Sequence, residues 1–175
     1  MDPLYSDIIS FHGHSCPGLA IGYRMTKAGL AFLLGSRSED EELVAIVENN
    51  ACGVDALQYL SVCTFGKGNL IFRDYGKQVY TLYDRKTKRG VRVAFNARQV
   101  PEDLTGDRER FVTWLLSVPD DNFLSLREAH MDEPEPARIM ESVECAFCGE
   151  MVMETRTRKI NGESACIPCA QKKAG

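Results

Sequence analysis

The sequence lacks the features that direct a protein to a membrane or to nucleic acid. Its 175 residues contain no run of about eighteen consecutive apolar residues. The first ten residues, MDPLYSDIIS, have neither the basic start nor the apolar stretch of a signal peptide. The net charge of −4 gives no general attraction to phosphate groups or anionic lipids. We therefore expect a cytoplasmic protein with no membrane and no nucleic-acid partner.

A phosphate-binding loop is also missing. FGKGN contains a Gly-Lys pair, but Ser61 stands where the loop pattern needs its first glycine. Gly68 stands where the pattern needs serine or threonine. We expect Lys67 and Asn69 to form a turn at a helix exit or a polar wall of a neighbouring pocket.

Histidine is scarce, and two of the three histidines lie in FHGHSCPG, residues 11–18. Alternate side chains of an extended segment point to one face, so His12, His14 and Cys16 are expected on the same side. Cys16 also precedes Pro17 at a predicted helix start, where the helix dipole favours a thiolate. Imidazole nitrogen and thiolate sulfur are the ligands that Zn²⁺ and related metals prefer.

Cys52, in NNACGVD, also stands just before a predicted helix. Two helix N-termini can converge on one site, so Cys52 joins the predicted core metal site. Cys63 follows eleven residues later, and on one uninterrupted helix its Cα lies about 16 Å from that of Cys52. The core site is thus predicted to consist of His12, His14, Cys16 and Cys52, with Cys63, Lys67 and Asn69 as second choices.

The remaining cysteines form two Cys-x-x-Cys pairs separated by seventeen residues. This spacing is typical of a structural zinc module, and disulfides or an iron centre stay open as alternatives. A module of some forty residues has too little core to fold alone, so metal binding is expected to supply much of its stability. The predicted ligands are Cys145, Cys148, Cys166 and Cys169.

Hydrophobic patterning predicts an α+β fold with helices packed on an antiparallel sheet, followed by a small four-cysteine zinc finger of treble-clef or ribbon type. Acidic, proline-bearing MDEPEPAR indicates a linker. The predicted domains are a core, 1–130, a linker, 131–140, and a finger, 141–175. The elements expected are helices near 3–11, 19–35, 54–62, 107–117 and 121–129, a strand at 43–47, a meander of LIFRDY, QVYTLYD and GVRVAF, and a finger hairpin of MVMETR with RKINGES.

Three segments, FHGHSCPGLAIGYR, ACGVDALQYLSVCTFGKGNL and FRDYGK, resemble the FmdE family, which is named for a component of formylmethanofuran dehydrogenase. The C-terminal module resembles the treble-clef zinc finger that some members carry. The resemblance implies an α+β core, a homodimer and a methanogenesis-related link to the molybdenum or tungsten enzyme that interconverts CO₂ and formylmethanofuran. The matching positions are His12, His14, Cys16, Gly18, Arg24, Cys52, Asp55, Gln58, Cys63, Gly66, Lys67, Gly68 and Asn69.

Two functions are compatible with these residues. The first is a metal-binding accessory protein or subunit, with Zn²⁺ in the finger and Zn²⁺ or another transition metal in the core. The alternative is a metal- or thiol-dependent enzyme that uses Cys16 and His14, with Asp55 as proton carrier. A nucleic-acid role is disfavoured because residues 131–175 carry six basic and eight acidic side chains.

Overall fold

The chain divides after Pro136 into two units, Met1–Pro136 and Ala137–Gly175, in a computed structural model. The structure describes residues 3–33, 42–104, 106–136 and 139–174. The division falls inside the predicted linker, residues 131–140. Helices and strands of the first unit confirm the predicted α+β class.

Helix starts in the first unit follow the local sequence. Pro3 and Pro17 are the first residues of their helices, where a missing backbone N–H has no cost. Asp107 caps a third helix by accepting a hydrogen bond from Arg110 N at 3.0 Å. The predicted helix end at Gly35 lies outside the described residues. The elements are α1 Pro3–His12, α2 Pro17–Leu33, β1 Leu43–Val47, α3 Gly53–Ser61, β2 Leu70–Phe72, β3 Val79–Asp84, β4 Arg89–Phe95, α4 Arg108–Ser117 and β5 Leu124–Glu128.

The sheet has the strand order β2-β1-β3-β4-β5 and is antiparallel except for the parallel pair β1–β2. The predicted meander that includes LIFRDY is therefore wrong for β2. The chain after β2 runs across the end of β1, where Arg73 N donates to Val47 O and Lys77 N donates to Glu48 O. This path carries β3 to the opposite side of β1, so β2 remains at the sheet edge.

The predicted helix over 121–129 is also wrong. Residues Leu124–Glu128 form β5, which pairs antiparallel with β4. Leu124 and Leu126 alternate with Ser125 and Arg127, which is the period of a strand. Pairing with β4 outweighs the weak helical pattern of so short a segment.

Helix α2 lies at the centre of the first unit and packs on α3, α4 and β4. The approach of α2 to α3 is close enough to require glycine on both helices. A Cβ atom at Gly22 would lie 2.2 Å from Gly53 O, and one at Gly53 would lie 3.0 Å from Gly22 Cα. This contact fixes the N-terminus of α3 against the first half of α2.

Arg24 joins α2 to the end of α4. Its guanidinium donates to Asp120 Oδ1, to Val118 O and to Leu115 O, and it lies over the Phe123 ring. The side chain is only 13% exposed. Arg24 matched the family motif, and its contacts give it an architectural role, because it satisfies carbonyls at the C-terminus of α4 that the helix leaves unpaired.

The second unit consists of two short hairpins and a helix. MVMETR does not pair with RKINGES as predicted, because a turn at Glu154–Arg156 separates them. Asn161 and Gly162 have φ angles of 51° and 89°, which suit the tight turn of the second hairpin. No described helix in either unit has the length and apolarity needed to cross a membrane. The elements are β6 Ser142–Glu144, β7 Met151–Met153, β8 Thr157–Ile160, β9 Glu163–Cys166 and α5 Ile167–Ala174.

Candidate metal centre

Four soft donors from distant parts of the sequence meet in the first unit. The ligand atoms of His12, His14, Cys16 and Cys52 all lie within 4.8 Å of one another. We name this group the core cluster. It is one of two such clusters among the described residues. Donor atoms this close can bind one metal ion after small side-chain adjustments.

The segment that supplies three of these donors is not extended, so that part of the prediction is wrong. His12 is the last residue of α1, and Gly13 then adopts a φ of +98°, which reverses the chain. Gly13 N donates to Ile9 O at 2.7 Å. His14 and Cys16 follow in the short connection to α2. The donors converge because a helix end and a helix start lie side by side.

Both cysteines of the core cluster lie at helix N-termini. Cys16 precedes α2, and its sulfur accepts a hydrogen bond from Leu19 N at 3.4 Å. Cys52 is the N-cap residue of α3. The partial positive charge at a helix N-terminus attracts anionic groups, so both sulfurs lie where a helix end faces the cluster.

The His12 ring is held in one orientation. Its Nδ1 atom lies 2.7 Å from Asp55 Oδ2, and the His12 side chain is 10% exposed. Its other nitrogen, Nε2, is buried and has no hydrogen-bond partner. A histidine that donates from one nitrogen to a carboxylate and directs the other toward thiolates has the geometry of a metal ligand with its supporting residue.

His14 leaves one side of the core cluster accessible. Its side chain is exposed, and its ring centroid lies 4.5 Å from that of His12. The other three donors are partly buried. A metal ion in this site would therefore be reachable from solvent on the His14 side.

The two sulfurs of the core cluster can both be thiolates only with a cation beside them. Burial raises the pKa of the Cys52 thiol, and the neighbouring Cys16 raises it further. Two thiolates at this separation repel each other unless a positive charge lies between them. A metal ion supplies that charge and displaces both protons. The donor set and its electrostatics therefore fit a metal ion.

The three second-choice residues lie at the other end of α3 and do not join the core cluster. Cys63 is fully buried, and its thiol donates to Leu43 O at 3.3 Å. Burial raises the pKa of Cys63 to about 11. Asn69 donates to the same carbonyl at 3.0 Å, and Lys67 donates to Val62 O at 3.3 Å. These contacts close the turn between α3 and β2.

The sequence did not indicate two further residues around the core cluster in the roles they take. Asp55 was expected as a proton carrier, but in the structure it orients His12. Tyr80 gave no signal, because it lies in an apolar strand. Its hydroxyl is buried without a hydrogen-bond partner, and burial raises the pKa of Tyr80.

The second cluster lies in the finger. The sulfur atoms of Cys145, Cys148, Cys166 and Cys169 lie within 4.8 Å of one another. Cys145 and Cys148 occupy the loop between β6 and β7. Cys166 ends β9, and Cys169 lies in the first turn of α5. We refer to these four residues as the finger cluster.

Backbone amides of the finger support its thiolates. Cys166 N donates to Cys145 Sγ at 3.2 Å. This amide and that of Phe147 lower the pKa of Cys145 to about 6. Gly149, with a φ of +73°, returns the chain, and its N–H donates to Cys145 O at 2.9 Å. Amides directed at the sulfurs are typical of four-cysteine zinc sites.

Comparison with known proteins identifies the family. Residues 11–125 match the model described as FmdE, molybdenum formylmethanofuran dehydrogenase operon. Residues 138–173 match the prokaryotic dksA/traR C4-type zinc finger. Each match covers one of the two clusters. The finger cluster is therefore a zinc-finger site.

Two relatives extend this comparison. A probable S-adenosyl-L-methionine-binding protein of Archaeoglobus fulgidus is 32% identical over 91% of this chain and 50% of its own length. The chain thus spans about half the length of that curated relative. The crystal structure of a tungsten formylmethanofuran dehydrogenase FmdE-like protein from Syntrophus aciditrophicus has a TM-score of 0.66 and 26% identity, covering 98% of this chain and 94% of that one. From the match over residues 11–125, the chain belongs to the FmdE family, and a C4-type zinc finger follows its core.

Proposed function

We propose that this chain is a metal-binding accessory protein in which the core cluster holds Zn²⁺ through His12, His14, Cys16 and Cys52. The finger holds a second, structural Zn²⁺ and serves in docking or dimerisation. In this proposal, the bound core ion neutralises the two thiolates and joins the ends of three helices. The chain's own residues determine the position of that ion.

His12 carries this proposal. Asp55 holds one ring nitrogen and the other is buried without a partner, in a residue whose ligand atom lies within 4.8 Å of two sulfurs and a second imidazole nitrogen. A buried nitrogen acceptor that forms no hydrogen bond costs about 1–3 kcal/mol. Metal coordination removes this cost. Two nitrogens and two sulfurs are a donor set typical of tetrahedral Zn²⁺.

An accessory role is favoured over catalysis because four protein donors complete a tetrahedral coordination sphere. Asp55, the expected proton carrier, is hydrogen-bonded to His12 and is thereby occupied. The Syntrophus relative is described as similar to a subunit of tungsten formylmethanofuran dehydrogenase. This similarity supports a role for the chain in a complex of that class. We propose a homodimer associated with a molybdenum or tungsten formylmethanofuran dehydrogenase.

One observation favours the alternative, a metal- or thiol-dependent enzyme. His14 is exposed, so its nitrogen can leave the metal and open a coordination position next to Cys16. Thiol titration separates the two functions. Rapid alkylation of Cys16 in the metal-loaded protein favours the enzyme. Slow alkylation of Cys16 favours the accessory protein.

Metal content tests the core site directly. We expect the purified full chain to bind two zinc ions, one in each cluster. Cys52→Ser should bind one zinc ion, because the core site then has only three of its four ligands and binds zinc more weakly. Inductively coupled plasma mass spectrometry of the purified variants measures the ratio of metal to protein.

Cys63→Ser is the matched control, because it changes a cysteine of the same α3 region that lies outside the core cluster. It should retain two ions. A wild-type chain with one ion would reject the proposed core site, as would equal metal content in the Cys52→Ser and wild-type chains.

A second prediction concerns Asp55. Asp55→Asn should weaken zinc binding at the core cluster by about 10–100-fold, which is typical for loss of a carboxylate that orients a metal-bound histidine. The asparagine keeps the size of the side chain and removes its charge. Competition with a chromophoric chelator measures the affinity of each of the two sites.

The finger supplies an internal reference, because its affinity should not change in Asp55→Asn. Asp74→Asn removes an exposed carboxylate that lies outside both clusters, and it should leave both affinities unchanged. An unaltered core affinity in Asp55→Asn would show that His12 needs no support from this carboxylate.

A further inference from the structure

The structure contains a second buried polar atom without a partner near the core cluster. Among the residues that the structure describes, two buried side-chain atoms lack a hydrogen-bond partner, His12 Nε2 and the Tyr80 hydroxyl. Such atoms are rare in folded proteins because each costs free energy. The proposed metal ion accounts for the histidine nitrogen. It does not by itself account for the tyrosine.

Tyr80 directs its hydroxyl at the start of α3. The residue lies in β3 and is 1% exposed. A Cβ atom at Gly53 would lie 2.5 Å from the Tyr80 hydroxyl oxygen. Gly53 directly follows Cys52, so the hydroxyl is adjacent to the residue that supplies a sulfur to the core cluster. Any larger side chain at position 53 would occupy the place of this hydroxyl.

Two anionic acceptors lie on the same turn of α3. The first, Asp55, already binds His12 Nδ1, and in this structure the Tyr80 hydroxyl forms a hydrogen bond with neither acceptor. The second is the Cys52 sulfur. A cysteine binds Zn²⁺ as the thiolate, which is a much stronger hydrogen-bond acceptor than a thiol.

We propose that Tyr80 is a positioning residue of the core metal site, whose hydroxyl donates a hydrogen bond to the metal-bound Cys52 thiolate, directly or through one bridging water. This inference rests on the proposed function. The hydrogen bond withdraws charge from the sulfur. It therefore makes the zinc-bound thiolate less nucleophilic and fixes its direction relative to the metal.

Tyr80→Phe tests the inference, because it removes the hydroxyl and retains the ring. In the zinc-loaded full chain, we expect Cys52 to be alkylated several-fold faster than in the wild type. Peptide mapping by mass spectrometry assigns the rate to Cys52. The rates of the four finger cysteines should not change.

Tyr83→Phe is the matched control, because Tyr83 is a second buried tyrosine of β3 that lies outside the apolar core to which Tyr80 belongs. It should leave the Cys52 rate unchanged. Thermal unfolding checks that both variants are folded. Since the Tyr80 hydroxyl has no hydrogen-bond partner in the metal-free protein, its removal should not lower the melting temperature of the metal-free chain.

Replacing zinc with cobalt(II) gives an absorption band that reports on the thiolate ligands. This band should not change if Tyr80 only fills space in the core. Loss of a hydrogen bond to a thiolate raises the energy of the sulfur lone pairs, so the sulfur-to-cobalt charge-transfer band should shift to longer wavelength in Tyr80→Phe. An unchanged band together with an unchanged alkylation rate would overturn the role of Tyr80. Equal changes in Tyr80→Phe and Tyr83→Phe would also overturn it.

These outcomes separate this inference from the proposed function. If the core cluster binds no metal, the wild-type chain shows one zinc ion and a single set of cobalt bands from the finger, and the proposed function fails with the inference. If the wild type binds two ions and Tyr80→Phe matches it in both measurements, only the role of Tyr80 fails.

Discussion

Replacing Gly22 with alanine should lower the free energy of unfolding of the first unit by about 3 kcal/mol. The added Cβ would lie 2.2 Å from Gly53 O and 2.3 Å from Gly53 Cα. These are backbone atoms and cannot rotate away, so α2 and α3 must separate. Because Gly53 follows Cys52, the same shift should displace a core ligand and reduce metal content. Chemical denaturation and metal analysis measure both effects.

Gly66→Ala is the control for this prediction. It makes the same chemical change at a glycine that has nothing within 4 Å of the added atom and no left-handed φ. We expect the stability and metal content of Gly66→Ala to match those of the wild type. Equal stability of Gly22→Ala and Gly66→Ala would contradict the close contact between α2 and α3 that the structure shows.

Replacing Cys145 with alanine should unfold the second unit. Structural zinc contributes on the order of 10 kcal/mol to the folding of small four-ligand modules. Cys145 is 1% exposed, and its sulfur also accepts the Cys166 amide. The variant should lose one zinc ion, and hydrogen exchange over 142–166 should become fast. Amides of the first unit should keep their protection, because that unit has its own apolar core.

Ser142→Ala provides the comparison in β6, the strand that precedes Cys145. Ser142 is exposed and lies outside the finger cluster. This variant should keep both zinc ions and slow exchange over 142–166. Slow exchange in Cys145→Ala would mean that the finger has enough apolar packing to fold without its metal.

The four side chains predicted for the core site lie together in the structure, while their binding of a metal stays a prediction, and one reason for grouping them was wrong. Residue chemistry identified His12, His14 and Cys16, and position before a helix identified Cys52. The predicted extended segment does not exist, because His12 belongs to α1. An extended strand places residues i, i+2 and i+4 on one face. A helix end followed by a glycine that reverses the chain can also bring such residues together. The spacing of His12, His14 and Cys16 therefore did not distinguish a strand from a helix end.

Long-range contacts were not predictable from a single sequence. The hydrogen bond between His12 and Asp55 joins residues 43 positions apart. The location of β2 depends on the path of residues 73–78 across the end of β1. Leu124–Glu128 became a strand because β4 offered an open edge. In each case, the interaction that determined the structure involved residues distant in the sequence. The local sequence pattern therefore could not predict it.

The parallel pair β1–β2 makes α3 a crossover connection, and Cys52 lies in the loop between the carboxyl end of β1 and that helix. Loops at this edge of parallel strands commonly carry binding residues, because the rigid strand and helix on either side of the loop fix its position. Substitutions in 48–52 can therefore exchange donor types while the scaffold persists. In the proposed core site, a different donor at position 52 would therefore change the preferred ion without rebuilding the interior.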